Sequence, residues 1–344
     1  MTGRILFICG SLNQTTMMHR IALQLRESEP YFTPFYADGL LESMSRQGWM
    51  NFTILGGHHR RNTEEYLARH NLPIDYGGRR QAYDAVVTCT DLIVQQNIRG
   101  KKVILVQEGM TVPEGPGYRL VRSLGLPRFL ANTAATGLSD AYDVFCVASP
   151  GYQDQFAQKG VRPEKMVVTG IPNFDNVDAY RENDFPYRHF VLAATSNTRE
   201  TFGWEDRPEL IRKARRIANG RMLIFKLHPN EHHPRARAEI QHWAPEALIY
   251  ENGDINPMIA NCDVLVTRYS SVVYIGLALG KEVHSALDVH VLKNLTPIQN
   301  RGTSAERIAE ICLEVVNRPP VPGKAGASRG QLWPGWQVRP PDRA

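Results

Sequence analysis

Short apolar runs recur along this chain, and the residues between them carry helical rather than strand periodicity. In the first half the runs fall at Arg4–Cys9, Asn51–Leu55, Ala85–Thr88, Val103–Gln107, Val144–Ala148 and Met166–Thr169. In the second half they fall at Phe190–Thr195, Met222–Leu227, Ala247–Tyr250, Asp263–Thr267 and Glu282–Ser285. A strand buried on both faces reads as a continuous apolar run, and alternation with helices implies parallel pairing through right-handed crossovers. The pattern predicts an α/β protein of two doubly wound, parallel-sheet (Rossmann-like) domains facing each other across a cleft. A polar segment rich in Asp and Asn, with Pro172 and Pro186 near its ends, separates the two arrays. The expected domains are 1–173 and 188–317, joined by a hinge at 174–187. Beyond Arg318 the chain turns to Pro, Gly and Arg around Trp333 and Trp336, a composition that builds no core. Residues 318–344 are expected to be disordered or laid on the surface.

Size and charge narrow the function. With 344 residues, 42% hydrophobic and 22% charged, this is an ordinary globular composition with room for two cores. A net charge of +5 suits anionic small molecules or an anionic membrane surface. No dense Lys/Arg run or RNA-binding aromatic signature is present, so nucleic acid is not an expected partner. The five cysteines, Cys9, Cys89, Cys146, Cys262 and Cys312, lie in or beside apolar or helical runs without CxxC spacing. They read as reduced core residues of a cytosolic protein. The apolar run within Met1–Gly10 is too short for a signal peptide, and no stretch approaches the roughly 20 apolar residues that span a bilayer. The expected location is cytoplasmic, with the inner face of the membrane left open as a place of work.

The densest chemistry lies between Met222 and Val283. The run Met222–Leu227 leads into His228, Pro229 and Asn230, with Lys226 at its end. The run Asp263–Thr267 leads into Arg268, Tyr269, Ser270 and Ser271, then an apolar helix pattern closed by Gly280. Ser270 reads as an N-cap and Gly280 as a helix stop. A helix that starts after a parallel strand aims free backbone N–H groups into the crevice at the strand ends, a place suited to phosphate. Lys226, His228, Ser270 and Ser271 are the candidate phosphate ligands, with Arg199 as a bidentate addition. The alternative for each is ordinary: a Ser pair that only caps, a Lys that is only solvated. His228, His232 and His233 are close in sequence, but Pro229 and Pro234 interrupt the helix a zinc pair needs, so neither metal nor cofactor is expected.

In the first domain, Arg4–Cys9 runs into Gly10, Ser11 and Gln14, candidates for a ligand-facing loop, although no GxGxxG fingerprint is present. Glu108 follows Val103–Gln107. A carboxylate at the end of a buried strand is costly unless paired or in use, which makes it the candidate general base; a helix-capping Glu is the alternative. Asp91 is a second strand-end carboxylate, expected to cap. His19 is expected on the surface rather than in the cleft, and His58 and His59 as a solvated pair in a loop. The segment Pro116–Leu138 mixes Arg with apolar residues at helical spacing. It reads either as a helix covering a sheet or as a dock for a lipid-linked acceptor at a membrane.

The two-domain plan, the strand before His228-Pro229 and the unit SSVVYIGLALGKEV at Ser270–Val283 resemble GT-B-fold sugar-nucleotide enzymes. Within that fold the chain is similar to UDP-N-acetylglucosamine 2-epimerases and to the CDP-glycerol glycerophosphotransferase group. The likeness covers roughly Arg4 to Asn317 as architecture and Leu223–Val283 in residues. Met166–Asn173 is similar to the interdomain signature of the epimerases. The resemblance implies donor-phosphate contacts for Ser270, Ser271 and His228, and acid–base work for Glu108. Two positions depart: Arg268 stands where the family usually has Asp, and Ile275 where a Glu commonly grips the ribose.

These observations together predict a metal-independent glycosyltransferase with a nucleotide-sugar donor and a carbohydrate or lipid-linked acceptor, working in envelope or surface polysaccharide synthesis. A peripheral membrane contact goes with that role, and domain closure about the hinge would exclude water. Two alternatives stay open: a nucleotide-sugar 2-epimerase, and a non-catalytic nucleotide-sugar-binding subunit. The donor, the acceptor, the stereochemical outcome and the oligomeric state are not written in these residues.

Overall fold

The structure, a computed structural model, describes residues 3–51, 53–201 and 204–319. It divides into two compact units. One runs to Asp175 and resumes at Gly302; the other is Asn176–Arg301.

The first unit carries β1 (Arg4–Ile8), β2 (Glu29–Thr33), β3 (Ala85–Thr88), β4 (Lys102–Val106), β5 (Val144–Val147) and β6 (Met166–Val168), in the order β2-β1-β3-β4-β5-β6. The second carries β7 (Val191–Ala194), β8 (Leu223–Lys226), β9 (Leu248–Tyr250), β10 (Val264–Val266) and β11 (Glu282–His284), in the order β11-β10-β7-β8-β9. Every pairing in both sheets is parallel. The apolar runs are legible because the strands are covered on both faces: every residue of β3, β5, β7, β8 and β10 is buried. In the second unit Val191, Phe225 and Val266 pack with Ile211 and Ala214 of helix Arg207–Ala218 and with Ile240 of helix His233–Trp243. Each of the larger of these side chains contributes about 1.5–3 kcal/mol on burial.

The strand orders fix where a ligand can sit. Each sheet begins at an inner strand, grows to one side and then returns to the other, reversing direction between β1 and β3 and between β7 and β10. At such a reversal the flanking helices diverge to opposite faces and leave a crevice beyond the carboxyl ends of the strands.

Several expectations change. The described residues of Asn51–Leu55 form no strand, and the Asn51 side-chain oxygen accepts from Gly57 N at 3.0 Å; Phe52 lies outside the described residues. The missing strand is β2, an edge strand whose Glu29 and Pro30 hide it from a search for apolar runs. Every other predicted strand is present within one residue at each end. His58 and His59 lie not in a loop but in the first turn of helix Gly57–Arg69. The last helix, Ser304–Asn317, expected in the second domain, belongs to the first unit, where it packs on helix Leu12–Gln24 and on β3 and β4. Ser304 anchors its start, with the backbone N donating to Asp175 at 2.8 Å and the hydroxyl to Thr169 O at 2.8 Å. The division falls after Asp175, and residues 176–187 of the expected hinge belong to the second unit, where Asn183 and Asn261 exchange side-chain hydrogen bonds of 3.0 and 3.1 Å. All but the first two residues of the expected tail, 320–344, lie outside the described residues. No helix among the described residues is long and apolar enough to cross a membrane.

Candidate functional site

In the second unit the reversal between β7 and β10 brings three strand ends side by side: Thr195–Ser196 after β7, Leu227–Asn230 after β8, and Thr267–Ser271 after β10. Ser270 and Ser271 lead into helix Val272–Ala278. Neither hydroxyl caps it: Ser271 occupies the cap position in a helical conformation with no side-chain bond to the helix. Both residues are half-buried, and neither hydroxyl has a hydrogen-bond partner among the described residues. The expected capping role of Ser270 is thus replaced by two uncommitted donors. Thr267 adds a third hydroxyl, buried and without a partner. Leaving such a group unbonded costs about 1–3 kcal/mol, and the three stand where the sheet topology places a ligand.

His228 is held from below. Its backbone N donates to Thr195 Oγ1 at 2.9 Å and to Glu231 Oε1 at 2.8 Å, while its Nδ1 accepts from Asn230 N at 3.1 Å. With Nδ1 accepting, the proton of the neutral ring sits on Nε2. Burial lowers the pKa of His228 below its ordinary value, with Glu231 opposing, so the neutral ring is the favoured form. The result is an oriented N–H donor.

Lys226 and Arg199 are placed otherwise than expected. Lys226 is buried, and its ammonium donates to the carbonyls of Leu227 at 2.8 Å and Glu251 at 3.1 Å, tying the ends of β8 and β9 together. Burial lowers its pKa, against Glu231 and Asp254. Arg199 gives both terminal nitrogens to Glu239 of helix His233–Trp243, at 2.7 and 2.8 Å. Both cations hold loops; neither is presented as a phosphate clamp.

Beneath the His228 turn lies a network the sequence conceals. Arg207, fully buried at the start of helix Arg207–Ala218, donates from Nε to Glu205 at 2.9 Å and from an η nitrogen to Glu231 at 2.8 Å. Its other η nitrogen donates to Ser196 O at 3.0 Å. Glu231 also accepts from Thr195 Oγ1, and Glu205 from Ser196 Oγ at 2.8 Å. One buried cation thus fastens the ends of β7 and β8 to the helix between them. An Arg at a helix start normally reads as exposed, so no local signal marks it. Above the network Arg268 stands 6.0 Å from the rings of Trp204 and Tyr269, both exposed. His232 caps helix His233–Trp243, its Nδ1 accepting from Arg235 N at 3.3 Å.

In the first unit the Gly10–Gln14 loop and Glu108 do come together. Ser11 Oγ donates to Glu108 Oε1 at 3.0 Å, Asn13 Nδ2 to the same oxygen at 3.3 Å, and Gln14 Nε2 to Oε2 at 2.6 Å. Ser11 and Gln14 also form the capping box of helix Leu12–Gln24. A Cβ at Gly10 would displace the Gln14 side-chain oxygen from its place. Asn13 was not anticipated; besides Glu108 it meets Asn173, whose Nδ2 donates to its Oδ1 at 2.7 Å. Glu108 is therefore a half-buried carboxylate at a helix start, with three neutral donors and one lone-pair direction on Oε2 uncommitted. Asp91 is structural: buried, it accepts from the backbone N of Gly137 and Ser139, both at 2.9 Å. His19 is half-buried rather than on the surface, its Nδ1 3.0 Å from the Tyr66 hydroxyl, and burial with His70 lowers its pKa. All five cysteines are buried and unpaired, and burial pushes the thiols of Cys9, Cys146 and Cys262 up to about 12.

No protein-family model matches the chain, and no curated protein matches it by sequence. Solved structures do match. Neisseria meningitidis UDP-GlcNAc 2-epimerase bound to UDP-GlcNAc is similar over 90% of this chain and 100% of its own, at 13% identity and a TM-score of 0.58. The fold is of the GT-B type. The S. aureus MnaA–UDP co-structure is similar at 13% identity, covering 93% of this chain and 99% of its own, with a TM-score of 0.55. Anabaena HepE in complex with UDP is similar at 15% identity, covering 91% of each chain, with a TM-score of 0.50. Both GT-B sheets are present, as the resemblance implied; at these identities the likeness concerns fold alone.

Proposed function

We propose that this chain is a glycosyltransferase that takes its sugar from a nucleotide-activated donor, in cell-envelope or surface polysaccharide synthesis. One observation carries the reading: at the β7/β10 reversal, two half-buried serine hydroxyls and the Nε2–H of a neutral His228 are left uncommitted. Donors fixed in advance stabilise charge that develops on a departing diphosphate, without reorganising at the moment of reaction. Ser270, Ser271 and His228 are the proposed diphosphate ligands, with Thr267 behind them. Trp204, Arg268 and Tyr269 offer flat surfaces for the nucleobase, in place of the ribose contact that Ile275 cannot make. Lys226, Arg199 and the Arg207 network position the loops. The proton of the acceptor hydroxyl is assigned to the free lone pair of Glu108.

A thermal-shift screen with UDP-, CDP- and GDP-sugars tests the donor. A cognate ligand at about 100 times its Kd stabilises the protein by about 2.7 kcal/mol, and none of the three shifting it would overturn the reading. The likeness to 2-epimerase structures favours a second reading, epimerisation of the same donor at C2. Incubation with UDP-GlcNAc and no acceptor separates them, since a new C2 epimer would replace transfer by epimerisation. Donor binding with neither activity would leave a nucleotide-sugar-binding subunit.

A further inference from the structure

Residues 112–130 expose Val112, Leu120, Leu124, Leu126 and Leu130, with Leu124 at 62% and Leu126, the least exposed, at 37%. No other stretch of the described residues gathers large apolar side chains in this way. Folding does not account for them. Helix Pro116–Ser123 already buries Tyr118 and Val121, and Leu120 and Leu124, four residues apart, share a different side. The 3-10 segment Arg128–Ala135 packs against that helix and buries Ala131, Ala134 and Ala135, leaving Leu130 outside. Arg128 turns inward, donating to Asp91 O at 3.0 Å.

Residues 112–130 carry three arginines and one acid. Arg119 and Arg122 have no carboxylate partner among the described residues; Arg122 meets only the Tyr118 hydroxyl, at 3.2 Å. The one acidic residue of the stretch, Glu114, stands 3.8 Å from the Lys159 ammonium. Apolar side chains beside uncompensated guanidinium groups are the chemistry of an anionic bilayer interface. A second copy of the chain fits less well, because a two-fold contact would bring the same arginines together with no acid to meet them.

We propose that residues 112–130 seat on an anionic phospholipid surface, with Leu120, Leu124, Leu126 and Leu130 entering the acyl boundary and Arg119 and Arg122 meeting phosphate head groups. This is independent of the donor chemistry of the second unit.

Flotation of the full chain with vesicles of phosphatidylcholine, with and without phosphatidylglycerol, tests it. The expected result is binding to the phosphatidylglycerol vesicles that weakens with salt. The double variant Leu120→Glu/Leu124→Glu loses it at least tenfold with an unchanged melting midpoint, and Arg119→Ala and Arg122→Ala each lower it about fivefold. As a second measurement, Leu120→Cys carries an environment-sensitive fluorophore, selectively labelled because the five native thiols are buried. Its emission shifts to the blue on adding anionic vesicles. The proposal is overturned by wild-type chain that ignores anionic vesicles, by binding that survives the leucine substitutions, or by a fluorophore that stays in water. It is equally overturned if the wild-type chain is a dimer that Leu120→Glu converts to monomers.

Discussion

Each unit places a glutamate where a buried strand gives way to a loop, and the two are held in opposite ways. Glu231, after β8, is buried and paired with the buried cation Arg207. Glu108, after β4, is half-buried and held by the neutral donors of Ser11, Asn13 and Gln14. A charge paired with a charge inside the protein is committed to scaffolding, because removing either partner strands the other. A carboxylate held by three neutral donors keeps a lone pair free for another proton. The same strand-end position thus yields a fastener in one unit and a candidate base in the other.

The largest effect expected from this contrast is on the fastener. Arg207→Met leaves Glu205 and Glu231 buried without a cation, and costs about 3–5 kcal/mol of stability, read by urea unfolding. A loss below about 1 kcal/mol would mean the triad is not sealed from water. Next comes Glu108→Gln, which keeps the size of the side chain and removes the basic oxygen. Transfer slows about 10²-fold or more while the melting midpoint falls by only a few degrees. Unchanged turnover would make Glu108 a loop clamp like its counterpart. The smallest effect is on pH dependence. The folded pKa of His228 lies below its unfolded value near 6.5, so its contribution to stability is complete above about pH 6.5 and declines as pH falls toward the folded value. His19 acts in the same direction in the first unit. Melting curves from pH 7.5 to 5 should therefore be flatter for His228→Gln than for the wild-type chain; identical slopes would remove His228 from the account.

The fold was legible because parallel strands covered on both faces are written as apolar runs. It failed where that rule does not apply: at the edge strand β2, with Glu29 and Pro30, and at Asn51–Leu55, whose run is turned by Asn51 and its neighbouring glycines. The return of helix Ser304–Asn317 to the first unit is invisible locally, since its apolar stripe fits either sheet. The site was half legible. Strand ends name His228, Ser270, Ser271 and Glu108 because a buried strand ends in a loop and loops carry polar groups. Which cations are free depends on partners far along the chain: Glu239 for Arg199, the Glu251 carbonyl for Lys226. Arg207 needed the fold to be seen at all.

Titration calorimetry of UDP, CDP and GDP into the full chain and into Ser270→Ala/Ser271→Ala decides whether the β7/β10 strand ends hold a diphosphate. One of the nucleotides should bind the wild-type chain and bind the double variant about 10²-fold more weakly, at an unchanged melting midpoint because these hydroxyls support nothing in the fold. Equal affinity for both proteins, or no binding of any nucleoside diphosphate to the wild-type chain, would contradict it.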